Sequence, residues 1–180
     1  MARKASSKAE VLAQALSEYA DDPVGFCRDF LGVTLWERQC EAATALVTHK
    51  RVSIRSGHGV GKSQMVACLI LWMLCTHPMV EGIVTAPTFR QLTDVVFRRI
   101  EAILSKSLLK DFVTWKPTSV KFGKNMIKAA TARKGEGLQG IHAEHTIGSV
   151  LVVIEEASGV PESFFDSLEG ALSTGTAYII

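Results

Sequence analysis

Hydrophobic and polar positions follow two kinds of pattern along the chain. Over the first 49 residues, apolar side chains recur three or four positions apart in three segments, which predicts helices over 8–20, 24–31 and 35–48. From residue 51 onward, short apolar runs alternate with helical patterns. Strands that alternate with helices are typical of a parallel sheet. The pattern therefore predicts an α/β protein with a mostly parallel sheet, flanked by helices and preceded by N-terminal helices.

The alternating part of the chain predicts the individual elements of the sheet. Strands are expected at 52–54, 82–85, 150–154 and from 177 onward, with two or three further short strands within 112–131. Helices are expected at 63–75, 89–104 and 161–172. Residues 133–145 are polar and contain glycine, which predicts a loop.

Composition places the chain among compact globular proteins. It has 180 residues, of which 47% are hydrophobic and 21% charged. No repeat or linker interrupts it, so we expect a single domain over 1–180, with a helical part over 1–49 and a core over 50–180. The longest apolar run, Met65 to Cys75, is about half of the roughly 20 residues that cross a bilayer, and the N-terminus lacks a secretory signal. We therefore expect a cytoplasmic protein without a membrane partner.

The four cysteines form no C-x-x-C pair, and two of them lie within one apolar helical pattern. Such cysteines are typical of reduced core residues and not of a disulfide framework. The expected free thiols are Cys27, Cys40, Cys68 and Cys75.

Charge is distributed unevenly along the chain. Residues 90–138 contain eleven basic and four acidic side chains, whereas residues 139–180 contain six acidic and no basic ones. A basic stripe suits contact with the phosphate backbone of double-stranded DNA, independent of base sequence. A solvated surface is the alternative, because surface lysines are common. The basic side chains in question are Lys116, Lys121, Lys124, Lys128, Arg133 and Lys134.

A glycine-rich segment between a predicted strand and a predicted helix carries the strongest chemical signal. It ends in Gly61-Lys62-Ser63, the end of a phosphate-binding loop, although Ser56 replaces the first glycine of the common form. Backbone N–H groups of such a loop converge on phosphate oxygens, Lys62 reaches the β- and γ-phosphates, and Ser63 is suited to bind Mg²⁺. The predicted nucleotide-binding residues are Ser56, Gly57, His58, Gly59, Val60, Gly61, Lys62 and Ser63.

A second motif follows the apolar run at 150–154, which ends in Glu155-Glu156. An apolar strand ending in two acids is the Walker B pattern. The first acid, Glu155, is predicted to bind Mg²⁺, and Glu156 to deprotonate the attacking water. Most such sequences have aspartate where this chain has Glu155, and the longer side chain is expected to slow hydrolysis.

The chain resembles the ATPase domain of the large terminase subunit, the motor that packages DNA into the heads of tailed phages. The resemblance covers nearly the whole chain, and the stretch after the predicted Walker B strand is its most specific part. The matching segments are RSGHGVGKS at 55–63, TAPTFRQ at 85–91, GLQGIHAEH at 137–145 and VLVVIEEASGVPESFFDSLEGAL at 150–172.

This resemblance implies a P-loop NTPase fold of the ASCE type, which has an extra strand between the phosphate loop and the Walker B strand. It implies ATP and Mg²⁺ as cofactors and an ATPase activity coupled to DNA translocation. The implied partners are double-stranded DNA, the terminase small subunit, the portal protein and further copies of the chain in a ring. The implied location is the cytoplasm of a bacterial host.

Two further roles follow from related motors. Gln39 resembles their adenine-reading glutamine, because an amide can pair with both polar edges of adenine; an exposed helix residue is the alternative. The arginine that stabilises the transition state is unassigned among Arg55, Arg90 and Arg133.

Two other functions remain open at this point. One is a helicase-class translocase, since the loop and the segment at 85–91 are shared with helicases. The other is a nucleotide-binding remnant without turnover, because Glu155 replaces the usual aspartate and the sequence stops at Ile180, before the family's coupling motif. The sequence also has no room for the family's C-terminal nuclease domain. We expect from this a C-terminally truncated chain that does not cleave DNA.

Overall fold

The computed structural model describes residues 8–49, 51–57, 59–131, 149–171 and 176–179. Three helices form the N-terminal part, as the hydrophobic spacing predicted. They are α1 (Lys8–Ser17), α2 (Pro23–Asp29) and α3 (Glu37–Thr48). Asp22 caps α2 by accepting a hydrogen bond from the Gly25 N–H, and Pro23 occupies the first turn, where its missing N–H costs nothing.

The rest of the described chain alternates between strands and helices. The helices are α4 (Lys62–Thr76), α5 (Phe89–Gln91), α6 (Arg98–Leu104) and α7 (Glu162–Ala171), with a π-helical segment (Leu92–Phe97) between α5 and α6. The strands are β1 (Val80–Ala86), β2 (Thr114–Lys116), β3 (Ser119–Phe122), β4 (Asn125–Thr131), β5 (Ser149–Ile154) and β6 (Thr176–Ile179).

The six strands form one sheet in the order β2-β3-β4-β1-β5-β6. The four strands β4, β1, β5 and β6 are mutually parallel, whereas β2 and β3 extend the sheet beyond β4 as antiparallel strands. The predicted mostly parallel α/β sheet is confirmed, and the segment 112–131 contains three strands, within the range expected.

One predicted strand is wrong. Residues 52–54 form no strand, and the described segment has only a single bridge residue, at Arg51. Val52 and Ile54 nevertheless pack partly buried against the core. β-Branched side chains favour an extended backbone, but a strand also needs a neighbour that pairs with its backbone, and no described strand runs along 52–54.

The helix predicted over 89–104 is confirmed in extent but not in regularity. Its middle turns, Leu92–Phe97, are π-helical, and the Arg98 N–H donates to the carbonyls of Thr93 and Val95. Leu92, Val96 and Phe97 remain buried through this wider turn. The period of apolar residues alone does not distinguish a π segment from an α-helix, which is why the sequence did not predict it.

Helix α4 lies at the centre of the structure. Every residue from Met65 to Thr76 is buried, between the N-terminal helices on one side and strands of the sheet on the other. The indole N–H of Trp72 donates to the carbonyl oxygen of Tyr19 at 2.8 Å, which links α4 to the chain that follows α1. No helix within the described ranges combines the length and the apolar character needed to cross a membrane.

The cysteines are free, as predicted. Cys27, Cys68 and Cys75 are buried and Cys40 is partly buried. A hydrogen bond with Cys68, together with burial, raises the pKa of the Cys27 thiol, and burial raises that of Cys75. Both thiols therefore stay protonated and act as apolar packing groups.

The opposite face of the sheet has a smaller core under α7. Ile83 of β1 and Val152 of β5 pack there against Phe164 and Leu168. The two parallel strands that lead to the acidic pair and to the turn after β1 are thus covered on both faces, as is usual for parallel strands.

A buried asparagine joins three elements at the start of the sheet. The Asn125 side chain accepts a hydrogen bond from the Val80 N–H at 2.8 Å and donates to the carbonyls of Leu74 and His77 at 2.7 Å. The end of α4, the start of β1 and the start of β4 are thereby connected through one amide. All three bonds lie in or next to the core, where an unpaired polar group is costly.

We expect Asn125→Ala to lower the free energy of unfolding by about 2–4 kcal/mol, because it leaves one buried N–H and two carbonyls without this partner. Urea denaturation should show a lower midpoint with an unchanged m value. Lys124→Ala, at the neighbouring exposed turn position, is the matched control and should stay within about 0.5 kcal/mol of the wild type. An Asn125→Ala midpoint equal to that of the control would contradict the assignment.

Candidate nucleotide site

The glycine-rich loop leads directly into α4. Gly59 and Gly61 have left-handed backbones, with φ of 78° and 80°, and Gly61 is the N-cap of the helix. Side chains other than glycine rarely adopt this conformation, which explains why the loop uses glycine at these positions. Lys62 and Ser63 are the first two residues of α4, as the motif requires. His58 lies outside the described residues.

The Lys62 side chain folds back over its own loop. Its Nζ donates to the carbonyl oxygen of Gly57 at 2.6 Å and to that of Ser56 at 3.3 Å. The ammonium group is thus held above the loop near the positive end of the α4 dipole. An ammonium group and free N–H groups at a helix N-terminus form an arrangement that binds phosphate.

Gln39 of α3 braces the loop from the other side. Its Nε2 donates to the carbonyls of Gly61 and Val60 at 3.1 and 3.3 Å, and its Oε1 accepts from the Trp36 N–H at 3.3 Å. A Cβ atom placed on Gly61 would lie 2.8 Å from Gln39 Nε2, so a larger residue there would displace the Gln39 amide from this contact. The structure thus gives Gln39 a contact with the phosphate loop, and its adenine-reading role stays a prediction.

Trp36 is a loop contact that the sequence analysis missed. Its indole N–H donates to the Val60 carbonyl at 3.3 Å while half of the side chain remains exposed. An aromatic residue immediately before a helix that also carries Gln39 was the available signal. Trp36 and Gln39 both hold the same carbonyl, that of Val60, and so fix the position of the loop relative to α3.

The acidic pair lies immediately after β5, as predicted. The Glu155 N–H donates to the Thr85 carbonyl of the neighbouring strand β1 at 2.9 Å. One carboxylate oxygen of Glu155 and the Thr85 hydroxyl are both buried without a hydrogen-bond partner among the described residues. Buried polar atoms are normally paired, so this pair of orphaned oxygens indicates a place where a ligand supplies the partner.

The donor types present at the site fit a magnesium ion. Mg²⁺ prefers oxygen ligands and keeps several waters, binding through one or two carboxylates and the phosphates of a substrate. Glu155 provides a buried carboxylate oxygen without a partner among the described residues, and Ser63 provides a hydroxyl at the start of α4. Both residues were predicted for this role from the motifs.

Glu156 has an unusual backbone and a defined side-chain partner. Its φ and ψ are 52° and 49°, the left-handed region that a residue with a Cβ seldom occupies. Its carboxylate Oε2 accepts a hydrogen bond from Gln91 Nε2 at 2.6 Å. Strained backbone conformations are concentrated at functional sites, which supports the prediction that Glu156 acts chemically.

The three candidate arginines are differently placed. Arg55 is exposed and forms no ion pair with a described residue. Arg90 pairs with Asp94 one turn later at 3.0 Å, and its hydrogen bond lowers the pKa of that carboxyl. Arg133 lies outside the described residues, as does the segment 137–145. The choice of arginine stays a prediction.

Hydrogen bonds place some of the predicted site residues in two separate groups. One joins the loop to Gln39 and Trp36, and the other joins the end of β5 to Thr85 and Gln91. No hydrogen bond among the described residues connects the two groups. The second group lies at the carboxyl ends of parallel strands, where ligands bind in open α/β sheets.

Known proteins include relatives of the chain in sequence and in fold. No protein-family model matches the chain. Over 67% of its length, the chain is 30% identical to a probable terminase large subunit of Enterobacteria phage P7. It spans about a quarter of that relative, 26% of its length.

Solved structures show the same fold. The large terminase ATPase domain of Thermus phage P74-26 matches with a TM-score of 0.60 at 21% identity, over 83% of this chain and 65% of that one. A large terminase from a second phage, described as a thermophilic bacteriophage, matches with a TM-score of 0.54 at 16% identity. The match covers 82% of this chain and 38% of the terminase chain. The chain therefore has the fold of a large terminase ATPase domain and is related in sequence to a phage large terminase.

Proposed function

We propose that the chain binds and hydrolyses ATP as the motor part of a phage large terminase and drives double-stranded DNA into a procapsid. The observation that carries this proposal is the pairing of two features in a terminase-like fold. One is the glycine loop with Lys62 at the N-terminus of α4, and the other is the acidic pair at the end of β5. Because the matched relative is about four times longer than the matched part, its whole activity is carried over only as a proposal.

The reaction assigns a separate task to each group. Backbone N–H groups of the loop bind phosphate oxygens. Lys62 gives up its hydrogen bonds to the Ser56 and Gly57 carbonyls and binds the β- and γ-phosphates instead. Glu156 accepts the proton of the water that attacks the γ-phosphate in line. Ser63 and Glu155 would hold Mg²⁺, which supplies neutralisation of the phosphate charge.

An exposed lysine face supports double-stranded DNA as the partner. Lys116, Lys121 and Lys128 lie on one face of the β2–β4 extension, because Lys116 pairs with Ser119, which pairs with Lys128, and side chains alternate along a strand. Trp115, Val120 and Ile127 occupy the other face and pack against the core. We call the side with the three lysines the lysine face.

The lysine face has unbalanced charge among the described residues. None of its three ammonium groups forms an ion pair or side-chain hydrogen bond there, and diagonal neighbours in such a ladder lie about 7–8 Å apart. The adjoining strand β1 carries an acid, Glu81, which pairs with Met126 of β4. Three like charges on a flat surface suit a row of phosphates better than a base-reading contact, as a motor that acts on any sequence requires.

Further partners follow from the terminase relatives alone. On that basis we propose a terminase small subunit, a portal protein and a ring of identical subunits as partners, and the bacterial cytoplasm as the location.

ATP hydrolysis with magnesium, with and without double-stranded DNA, tests the chemistry. We expect turnover that rises with DNA of any sequence, and none in Lys62→Ala, which loses tight ATP binding. Glu156→Gln should retain ATP binding while kcat falls at least about 100-fold, because the water loses its base. Normal hydrolysis by Glu156→Gln would overturn the Walker B assignment.

Neutralising the lysine face tests the DNA contact. We expect DNA binding to weaken when alanine replaces Lys116, Lys121 and Lys128 together. The slope of log affinity against log salt concentration, which is negative, should become shallower by about 2–3. Replacing Arg99, Lys106 and Lys110 by alanine removes the same charge from other exposed positions and is the matched control. A larger effect from the control set would place the DNA elsewhere on the surface.

Base selectivity separates the two roles considered for Gln39. If its observed contact with Val60 and Gly61 is its function, Gln39→Leu should weaken ATP and GTP binding by similar factors, since both need the loop. If it reads adenine, ATP binding alone should weaken, by about tenfold for the loss of one or two hydrogen bonds. Fluorescence titration with both nucleotides measures this, with Gln14→Leu on the exposed surface of α1 as the control.

A further inference from the structure

The Gln91 side chain connects the segment after β1 to the acid that we propose as the base. Gln91 Nε2 donates to Glu156 Oε2 at 2.6 Å across 65 positions of sequence. Gln91 itself is the last residue of α5 and is partly buried, whereas Glu156 is exposed. Nothing in the motif pattern gives Gln91 a role of its own.

The orientation of the Gln91 amide is determined by Thr88. The Thr88 backbone N–H, which can only donate, lies 3.0 Å from Gln91 Oε1, and the Thr88 hydroxyl lies 2.7 Å from the same oxygen. The oxygen of the amide therefore faces Thr88, and its NH₂ group faces Glu156. Thr88 is the N-cap of α5, and its hydroxyl accepts in turn from the Gln91 N–H, so a capping box holds the amide in place.

The backbones on the two sides of this contact are also closely packed. The turn after Glu156 approaches the turn after β1 so tightly that a Cβ on Gly159 would lie 2.6 Å from Pro87 Cγ. The Gly159 N–H donates to the Glu156 carbonyl at 2.9 Å, which closes the turn that follows Glu156. Gln91 and Glu156 are therefore held at a defined separation by contacts other than their own.

We propose that Gln91 is a positioning residue that orients the Glu156 carboxylate for proton abstraction. Nε2 of Gln91 engages Oε2, and no hydrogen bond from the described residues reaches Oε1, which leaves that oxygen available to accept the proton of the attacking water. This inference rests on the proposed function, since it assigns Glu156 as the base. It adds a residue of the segment 85–91 to the machinery of hydrolysis.

Gln91→Glu separates positioning from helix capping. Glutamate at this position of a capping box still accepts from the Thr88 N–H, so α5 and the melting temperature should be retained. The donor that faces Glu156 is replaced by an acceptor, and kcat should fall about 10- to 100-fold while KM for ATP changes less than about twofold. Gln14→Glu on α1 is the matched control and should leave both parameters unchanged. Wild-type kcat in Gln91→Glu would overturn the proposal.

A second background tests whether Gln91 acts through Glu156. In Glu156→Asp the shorter carboxylate no longer reaches the amide, so adding Gln91→Glu should change kcat less than about twofold. A further fall equal to that seen in the wild-type background would show that Gln91 acts by another route.

An NMR measurement that needs no ATP turnover tests the contact between Gln91 and Glu156 separately from the proposed ATPase function. The side-chain NH₂ resonances of Gln91 should shift upfield in Glu156→Ala, because the charge-assisted hydrogen bond is lost, whereas those of Gln14 should not move. Unchanged Gln91 resonances would overturn the contact. If the wild-type chain does not hydrolyse ATP above the Lys62→Ala blank, the proposed function fails for this chain, and the NMR result alone decides the Gln91 contact.

Discussion

The burial of α4 from Met65 to Thr76 is the constraint on which the rest of the structure depends. A helix that is apolar on every side has to be covered on every side, and here the sheet covers one side and the N-terminal helices the other. The three N-terminal helices are therefore part of the core. Because α4 cannot shift or rotate without exposing apolar surface, Lys62 and Ser63 at its N-terminus keep a defined place relative to the sheet.

The ends of β1 and β5 differ from this well-packed centre. Here the structure tolerates features that cost free energy: a left-handed backbone at Glu156 and two buried oxygens, of Thr85 and Glu155, without described partners. In the scaffold, by contrast, a buried polar group such as the Asn125 amide is satisfied by three hydrogen bonds. Among the described residues, the buried side-chain oxygens without partners lie at the ends of β1 and β5, and this distinguishes the candidate site from the scaffold that supports it.

The sequence predicted the elements whose signals are local. The uninterrupted apolar run of α4, the apolar strand β5 and the glycines at 59 and 61 each carry their meaning within a few residues. The strand expected at 52–54 was wrong for a related reason: the preference of β-branched residues for a strand is local, but pairing depends on a neighbouring strand from elsewhere in the chain. The sequence also did not predict the π-helical turns at Leu92–Phe97, because they leave the spacing of apolar residues nearly unchanged.

By itself, then, the sequence determined which chemical groups are available and on which elements they lie: the loop lysine, the acid pair and a basic middle segment. Only the tertiary structure decided what those groups touch. Gln39 contacts the loop 21 and 22 residues away, and Gln91 contacts Glu156 across 65 residues. Such contacts arise from how helices and strands pack, and a residue's type and local pattern do not specify its distant neighbour.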